Sequence, residues 1–393
     1  MFRLKMFFLH YGESLILPNI LLLSLVTGKL FVFILGVIAL LALYIGSFFI
    51  GFKGPMKFDT PDGYNQPYHP SVVYFKDGWN GWKYWMAFTP FPVDGKPYPD
   101  RWENPCVVVS QDGVHWQYPD RMKFLDELTE EQINNKNYYS DTHLIYNSDE
   151  DCLQLFYRLN AGLNNDDISI FRIKSYNGID WSGKERIESV ERELYSPEPV
   201  SQAVVYHNEK YKMWYVANKK ESIKKEIRFM ESYDGRIWNN NALIKLYGKV
   251  VNPWHIDCQY IDGKYYLLIY SFDTTLTLWK SDNGIDFDFI KQILKPSIRA
   301  GVFYNVRLYR SCLIKNEKEW RVYFSAHSGK SHQIGLMTGK EVINFKVKSG
   351  SGLTGQDVKL FFHQMFAKLF SVEIAIIGRV FNLKAIPNRK SWR

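Results

Sequence analysis

The chain has 393 residues, a formal net charge of +8 and a composition that is 46% hydrophobic and 17% aromatic. So apolar a composition excludes a disordered chain. The positive charge is spread along the sequence without a nucleic-acid-binding motif, so we expect no nucleic-acid partner. The four cysteines are spaced neither as a disulfide framework nor as a metal site, and we expect no bound metal or other cofactor.

Residues 1–55 are predicted to form a membrane segment. Residues 30–52 are apolar without a charge and long enough to cross a bilayer as a helix. Residues 15–26 are shorter and contain Pro18, which fits an interfacial segment or the first arm of a helical hairpin. Basic residues flank the main span on both sides, so the orientation stays open. We expect a membrane protein, single-pass or anchored by a hairpin, with lipid as a partner.

Residues 56–340 carry a repeated pattern of short apolar segments. In residues 196–238, runs rich in β-branched and aromatic residues alternate with turn residues, and the unit closes with Ser232-Tyr233-Asp234-Gly235 before Trp238. Gly after Asp supplies the positive φ that a two-residue hairpin needs. The closing motif recurs at Ser110-Gln111-Asp112-Gly113, Ser175-Tyr176-Asn177-Gly178 and Ser281-Asp282-Asn283-Gly284.

Each unit also opens in the same way, with polar residues before a run of alternating apolar ones. A fifth unit lacks the closing motif. Five units at a spacing of roughly fifty to sixty residues predict an all-β fold, a five-bladed β-propeller, with blades from about Pro67 to Thr338. The openings are His69-Pro70-Ser71-Val72, Ser140-Asp141-Thr142-His143, Ser196-Pro197-Glu198-Pro199, Trp254-His255-Ile256-Asp257 and Tyr304-Asn305-Val306-Arg307.

Residues 341–393 are predicted to form a linker and a C-terminal basic amphipathic helix. Ser349 to Gly352 are the small residues typical of a linker, and apolar residues then recur at helical spacing from Val358 to Ile376, accompanied by Lys and Arg. Such a helix is suited to an anionic membrane surface. Packing on the propeller or on a second copy is an equally good interpretation.

The first strand of each propeller blade lines the central channel, so polar residues at the blade openings converge there. Residues two apart, such as Asp141 and His143, share one face of a strand. So many ionisable groups predict a functional pocket. Its candidate residues are His69, Asp141, His143, Glu198, His255, Asp257, Asn305 and Arg307.

The blade openings and the Ser-x-Asp-Gly-x-x-Trp turns resemble those of the five-bladed propeller glycoside hydrolases, the clan of arabinanases, xylosidases and fructosidases, with related mannoside phosphorylases. In arabinanase-like members a first-blade Asp before Pro is the base, a second-blade Asp orients the site, and a third-blade Glu is the acid. The resemblance implies these last two roles for Asp141 and Glu198. His69 stands at the position where the family has the Asp that acts as the catalytic base.

The missing Asp leaves three interpretations open, because glycosidases normally use two carboxylates. Glu198 is suited to be the acid if burial and the charge of Asp141 raise its pKa. His69 could be the base near neutral pH, or Asp257 could take that role while His69 binds sugar. In the third interpretation catalysis has been lost and the channel only binds a glycan.

The sequence therefore predicts a membrane-tethered carbohydrate-active protein. It would be glycoside hydrolase-like or glycosyl-transferring and would act on a cell-surface or capsular-type polysaccharide or its precursor. The alternative is a non-catalytic glycan-binding propeller. Arg307 and Arg310 could hold a carboxylate or phosphate of the ligand. The other expected substrate-binding residues are Glu103, His143, Trp254, His255 and Asn305.

Overall fold

Short strands rich in β-branched and aromatic residues make up nearly all of the regular structure in the computed structural model. The structure describes residues 54–91, 103–126, 128–161, 167–189, 200–218, 225–297, 303–328 and 331–348. They belong to one compact unit that comprises Lys53–Ser297 and Phe303–Gly352. Between the first two sheets lies the short helix α1 (Glu130–Asn134), whose N-cap Thr129 forms a capping box with Gln132.

Five sheets form the blades, and in each the strand nearest the centre runs antiparallel to the next. Blade one contains β1 (Pro67–Trp79), β2 (Trp82–Pro90) and β3 (Cys106–Ser110). Blade two contains β4 (Tyr138–Asn147), β5 (Cys152–Ala161), β6 (Asp167–Ser175) and β7 (Glu185–Arg186). Blade three contains β8 (Glu188–Ser189), β9 (Val200–His207), β10 (Lys210–Asn218), β11 (Lys225–Ser232) and β12 (Ile237–Leu243). Blade four contains β13 (Lys245–Tyr247), β14 (Pro253–Ile261), β15 (Lys264–Ser271), β16 (Leu276–Ser281) and β17 (Asp286–Leu294). Blade five contains β18 (Arg307–Lys315), β19 (Trp320–His327), β20 (His332–Gly339) and β21 (Lys346–Lys348).

The innermost strands form a closed ring. β1 contacts β4, β4 contacts β9, β9 contacts β14, β14 contacts β18, and β18 contacts β1 again. The predicted five-bladed propeller is therefore confirmed. Its apolar core lies between neighbouring blades, as where Trp214 of blade three packs with Leu267 of blade four. Polar side chains occupy the centre of the ring.

The repeated closing turn is held by its own side chains. Ser232 Oγ accepts the N–H of Gly235 at 2.9 Å, and Asp234 Oδ1 accepts the N–H groups of Arg236 and Ile237 at 2.8 and 2.9 Å. The positive φ expected of the glycine is present, at 71°. The loop is longer than the expected two-residue hairpin, since β11 ends at Ser232 and β12 begins at Ile237. Side-chain oxygens satisfy the additional N–H groups.

The chain enters the ring through a segment that joins blade one to blade five. The N–H of Met56 donates to the carbonyl oxygen of Ile334 at 2.8 Å. The N–H of His332 donates to Gln66 Oε1 at 2.7 Å. Residues 54–66 therefore reinforce the contact between the first and last blades.

The predicted membrane segments and the C-terminal amphipathic helix lie outside the described residues. Within the described ranges, no helix has the length and apolarity that a membrane crossing requires. Part of the predicted linker is described, because β21 pairs with β20 and extends blade five beyond Thr338.

Candidate functional site

The innermost strands are irregular near their starts, where they reach the centre of the ring. Strand pairing shifts between Tyr68 and Ser71 in blade one and between Ser140 and His143 in blade two. His69, Asp141 and Ser201 have φ values of 53°, 54° and 53°. A residue with a Cβ rarely adopts this conformation, and β-bulges re-aim side chains next to active sites. These three positions are therefore candidates for function.

Two of these residues meet a third from blade four. His69, Asp141 and His255 are all buried, and each offers a metal-ligating atom within 4.8 Å of the other two. The residues come from three different blades. All three residues were predicted to lie in the channel, and no metal was expected there. Their arrangement as a possible set of metal ligands is visible only in the fold.

The two imidazoles are neutral and are held by hydroxyl groups. His69 Nδ1 lies 2.8 Å from Thr89 Oγ1, and His255 Nδ1 lies 3.1 Å from Ser201 Oγ. Burial lowers the pKa of His69 well below its usual value and that of His255 to about 4. Neither Nε2 atom has a hydrogen-bond partner among the described residues. Neutral imidazole with one free nitrogen is the form that binds metals.

Asp141 supplies a negative charge between them. Its Oδ2 accepts the N–H of Ser201 at 3.1 Å and pairs with Arg158 Nε at 3.1 Å. Burial alone would raise its pKa, but Arg158, His255 and Arg310 lower it well below the usual value. Oδ1 lies 3.4 Å from His255 Nδ1 and 3.7 Å from Arg310 Nη1, yet makes no hydrogen bond with a described residue.

The donor set fits a divalent transition-metal ion. It offers the Nε2 atoms of two neutral imidazoles and Oδ1 of Asp141, all buried and without a hydrogen bond to any described residue. A buried polar atom without a partner is costly unless a ligand satisfies it. Two His and one carboxylate are a common set in catalytic Zn²⁺ and Fe²⁺ sites that keep a position open for substrate.

A second polar layer is formed by His143, Asp257 and Arg310. His143 Nε2 lies 2.8 Å from the carbonyl oxygen of Val204, and its Nδ1 lies 3.6 Å from Asp257 Oδ1. Arg310 donates to the carbonyl oxygen of Gln202 at 2.7 Å and is 1% exposed. Burial raises the pKa of Asp257 to about 6. Arg310, which was predicted to hold an anionic ligand, contacts groups of the protein itself, and its role toward a ligand stays a prediction.

Glu103 and Tyr68 bring two further protic groups to the site. Glu103 has a φ of 52° and is buried, and burial with the charge of Asp141 raises its pKa well above the usual value, although Arg158 opposes the shift. The ring of Tyr68 lies 5.0 Å from that of His69, and its buried hydroxyl has no hydrogen-bond partner in the described part of the chain. Burial also raises the pKa of Tyr68, so the group remains an O–H donor.

The remaining predicted residues lie around this centre or outside the described residues. Trp254 Nε1 donates to the hydroxyl of Tyr309 at 3.1 Å, and the Arg307 guanidinium lies 5.2 Å from the Tyr309 ring centroid. Asn305 stands just before β18. Glu198 is outside the described residues, and its predicted role stays a prediction.

Sequence reasoning did not find Ser201, Arg158, Thr89 or Tyr68. Ser201 carries the positive φ in blade three that His69 and Asp141 carry in theirs, three positions after Glu198. That equivalence was hidden because the position of a bulge is set by pairing with the next strand. Arg158 comes from β5, where an isolated Arg gives no signal in the sequence.

No family model matches the chain. The A type blood N-acetyl-alpha-D-galactosamine deacetylase of Flavonifractor plautii is 25% identical to it over 304 residues. The match covers 64% of this chain but only 38% of that relative, so the chain spans less than half of the relative's length.

Solved structures with the same fold include an N-acetylgalactosamine deacetylase from F. plautii in complex with blood group B trisaccharide. It has a TM-score of 0.61 and 20% identity, and the match covers 74% of this chain and 95% of that one. For the β-xylosidase RS223 the TM-score is 0.53 and the identity 13%, over 74% and 97% of the two chains. The predicted resemblance to five-bladed propeller glycoside hydrolases is confirmed at the level of the fold.

Proposed function

We propose that the protein is a metal-dependent deacetylase that hydrolyses the acetamido group of an N-acetylated sugar in a glycan. The observation that carries the proposal is the buried set of His69, Asp141 and His255, in which both Nε2 atoms and Asp141 Oδ1 lack hydrogen bonds among the described residues. The similarity to the deacetylase of F. plautii supports the same reaction class.

The three residues would hold the ion, and their partners would keep them in position. With Nδ1 of His69 protonated and donating to Thr89 Oγ1, its Nε2 lone pair is free for a metal. Ser201 Oγ, 3.1 Å from His255 Nδ1, holds the second imidazole, and Arg158 fixes Asp141. When bound there, a divalent cation supplies Lewis-acid polarisation of the acetamide carbonyl and a lower pKa for water.

Glu103 and Tyr68 provide the proton and the hydrogen bond that amide hydrolysis needs. Water releases a proton as its oxygen joins the carbonyl carbon, the carbon–nitrogen bond breaks, and the nitrogen leaves as an amine once it has gained a proton from Glu103, which the proton released by water restores. Burial raises the pKa of Glu103 well above its usual value, which favours the protonated form that can deliver a proton to that nitrogen. The free O–H of Tyr68 can donate to the carbonyl oxygen as its negative charge grows.

The geometry favours this reaction over glycoside hydrolysis. An inverting or retaining glycosidase needs a carboxylate where His69 stands. Burial lowers the pKa of His69, which weakens it as a base. Glycoside hydrolysis through Glu198 and Asp141 remains the second candidate, because the fold is shared with xylosidases. Tethering to a membrane through residues 30–52 and a cell-surface or capsular-type glycan as substrate remain part of the proposal from the sequence.

The test combines metal content with product analysis on the purified full chain. Incubated with glycans rich in N-acetylated sugars, the metal-loaded chain should release acetate and leave free amines without new reducing ends. Chelation should abolish the activity and added Zn²⁺ should restore it. His69→Ala and His255→Ala should lose the metal and more than about a hundredfold in rate. The control His115→Ala changes an exposed histidine of the blade-one turn and should behave as wild type.

Other products would contradict the proposal in defined ways. New reducing ends without acetate, lost on Glu198→Gln, would identify a glycoside hydrolase. Glycan binding without any product would identify a binding module. Full activity after chelation would refute the role given to His69, Asp141 and His255.

A further inference from the structure

An aromatic surface formed by Trp254, Tyr309 and Phe272 lies beside His255 at the rim of the site, and the proposed deacetylation does not use it. Trp254 directly precedes His255, and their rings lie 5.5 Å apart. The Trp254 indole is fixed by its bond to Tyr309, whose ring lies 4.0 Å from that of His255. Phe272, which is 51% exposed, extends this aromatic surface at 5.0 Å from Trp254. The surface therefore leads outward from the reaction centre.

A lysine stands on this aromatic surface. Lys225, the first residue of β11, places Nζ 3.4 Å from the centroid of the Trp254 ring and 5.4 Å from that of Phe272. Burial and the positive charge of Arg158 lower its pKa to about 8, although Asp141 opposes the shift. The ammonium is thus partly withdrawn from water and close enough to the site to interact with its charges.

Lys225 lacks a countercharge among the described residues. None of their carboxylates lies within ion-pair distance of its ammonium, and the adjacent Glu226 is paired with Arg228 at 2.9 Å. A partly buried charge is normally paired, and an aromatic face compensates only part of the lost hydration. The rings of Trp254 and Phe272, inclined at 48° to each other, therefore offer an aromatic surface for a sugar ring, with a positive charge above it that has no countercharge among the described residues.

We propose that Lys225 and Trp254 form a subsite for an acidic sugar residue next to the N-acetylated sugar in the same glycan. The sugar ring packs on the aromatic surface, and its carboxylate or phosphate pairs with the ammonium of Lys225. The inference rests on the proposed function for the identity of the neighbouring sugar. It narrows the substrate to an anionic glycan.

The test measures binding separately from turnover. Calorimetry on the chelated full chain compares three oligosaccharides that share an N-acetylated sugar and differ in its neighbour, which is a neutral hexose, a uronic acid or a phosphorylated hexose. At least one acidic ligand should bind roughly ten- to a hundredfold more tightly than the neutral one. The uronic acid and phosphate arms show which anion the subsite takes.

Variants of the lysine assign the preference to this residue. Lys225→Met should lose the preference for the acidic ligand while keeping the affinity for the neutral one, which also shows that the variant is folded. Lys225→Arg should retain most of the preference. The control Lys280→Met removes an exposed lysine at the other end of blade four and should bind as wild type does.

The outcomes separate this inference from the proposed function. Equal affinity for all three ligands, or a preference that survives in Lys225→Met, would overturn the subsite even if the loaded protein releases acetate. A Lys225-dependent preference without acetate release would uphold the subsite and refute the deacetylase.

Discussion

The candidate site is built from residues in unfavourable backbone conformations. His69, Asp141 and Ser201 each have a φ near +53° to +54° at the start of an inner strand. Such a conformation costs about 1–3 kcal/mol for a residue with a Cβ and persists only where the surroundings enforce it. Here the N–H of Ser201 donates to Asp141 Oδ2, and Ser201 Oγ lies 3.1 Å from His255 Nδ1. These contacts hold the strained residues in place. Two of the three strained residues, His69 and Asp141, are proposed metal-binding residues.

Glu103→Gln tests the proposed proton carrier. The amide cannot release a proton, so kcat should fall by about 10²–10⁴-fold. In the wild type the rate should decline with rising pH as Glu103 loses its proton, and this alkaline limb should disappear from the residual rate of the variant. Metal content should be unchanged, because Glu103 is not part of the ligand set. Rates between pH 5 and 9 check the fall in kcat and the loss of the alkaline limb, and elemental analysis checks the metal content.

A stability measurement shows whether that loss reflects unfolding. Burial raises the pKa of Glu103 in the folded state, so the unfolded chain releases the proton first. The contribution of Glu103 to the free energy of unfolding is therefore present below about pH 4 and is lost as pH rises through the folded pKa. Glu103→Gln on the chelated chain should remove this decline and be at least as stable as wild type at pH 8. A less stable variant would indicate that ionised Glu103 supports the fold.

Part of the site was predictable because strand openings are local features. His69, Asp141 and His255 could be assigned to the channel from their place before runs of alternating apolar residues. That these three residues meet as one set of metal ligands could not be predicted, because it depends on which residue of each bulge faces the axis of the ring. Thr89 and Arg158 come from second strands and reach the site only through the fold.

At the scale of elements, the closing turns also connect the blades. The turn of blade two packs on blade one, since a Cβ placed on Gly178 would lie 2.0 Å from the ring of Trp85. The turn of blade four packs on Trp214 of blade three in the same way. The hydrogen bonds inside the turn were predictable from local sequence. Its contact with the preceding blade was not, because that contact depends on the ring.

Gly178→Ala should therefore destabilise the protein by more than backbone strain alone. Gly178 and Gly81 have φ values of +74° and +84°, but nothing lies within 4 Å of a Cβ on Gly81. Gly81→Ala is the matched control and should cost about 1–2 kcal/mol of unfolding free energy. Gly178→Ala should cost about 1–3 kcal/mol more, because Trp85 must move. Urea unfolding measures both. Equal losses of unfolding free energy in the two variants would mean that blades one and two can separate at this contact without a cost in free energy.

At the scale of the whole molecule, the ring is closed by contacts between its first and last described blades. The chain passes from blade two to blade three between β7 and β9, whereas blades one and five are the first and last of the described propeller. Their contact includes β1 against β18, an apolar cluster shared by the two blades, residues 54–66 and side chains of β19. Arg321 Nη1 donates to the carbonyl oxygen of Asp112 at 2.6 Å, and the Tyr323 hydroxyl to that of Gly113 at 3.0 Å.

Arg321→Met tests whether the ring opens first at this closing contact. Arg172 is the matched control, because it also donates to a turn carbonyl of the next blade, Asp234, at 2.6 Å and lies over a tyrosine there. Each substitution should cost about 1–3 kcal/mol of local stability through the lost charged hydrogen bond. Hydrogen exchange should rise in β1–β3 and β18–β21 for Arg321→Met, and much less around Arg172→Met, where the chain itself joins the two blades. Equal increases in exchange at the two contacts would show that the inner strands alone hold the ring closed.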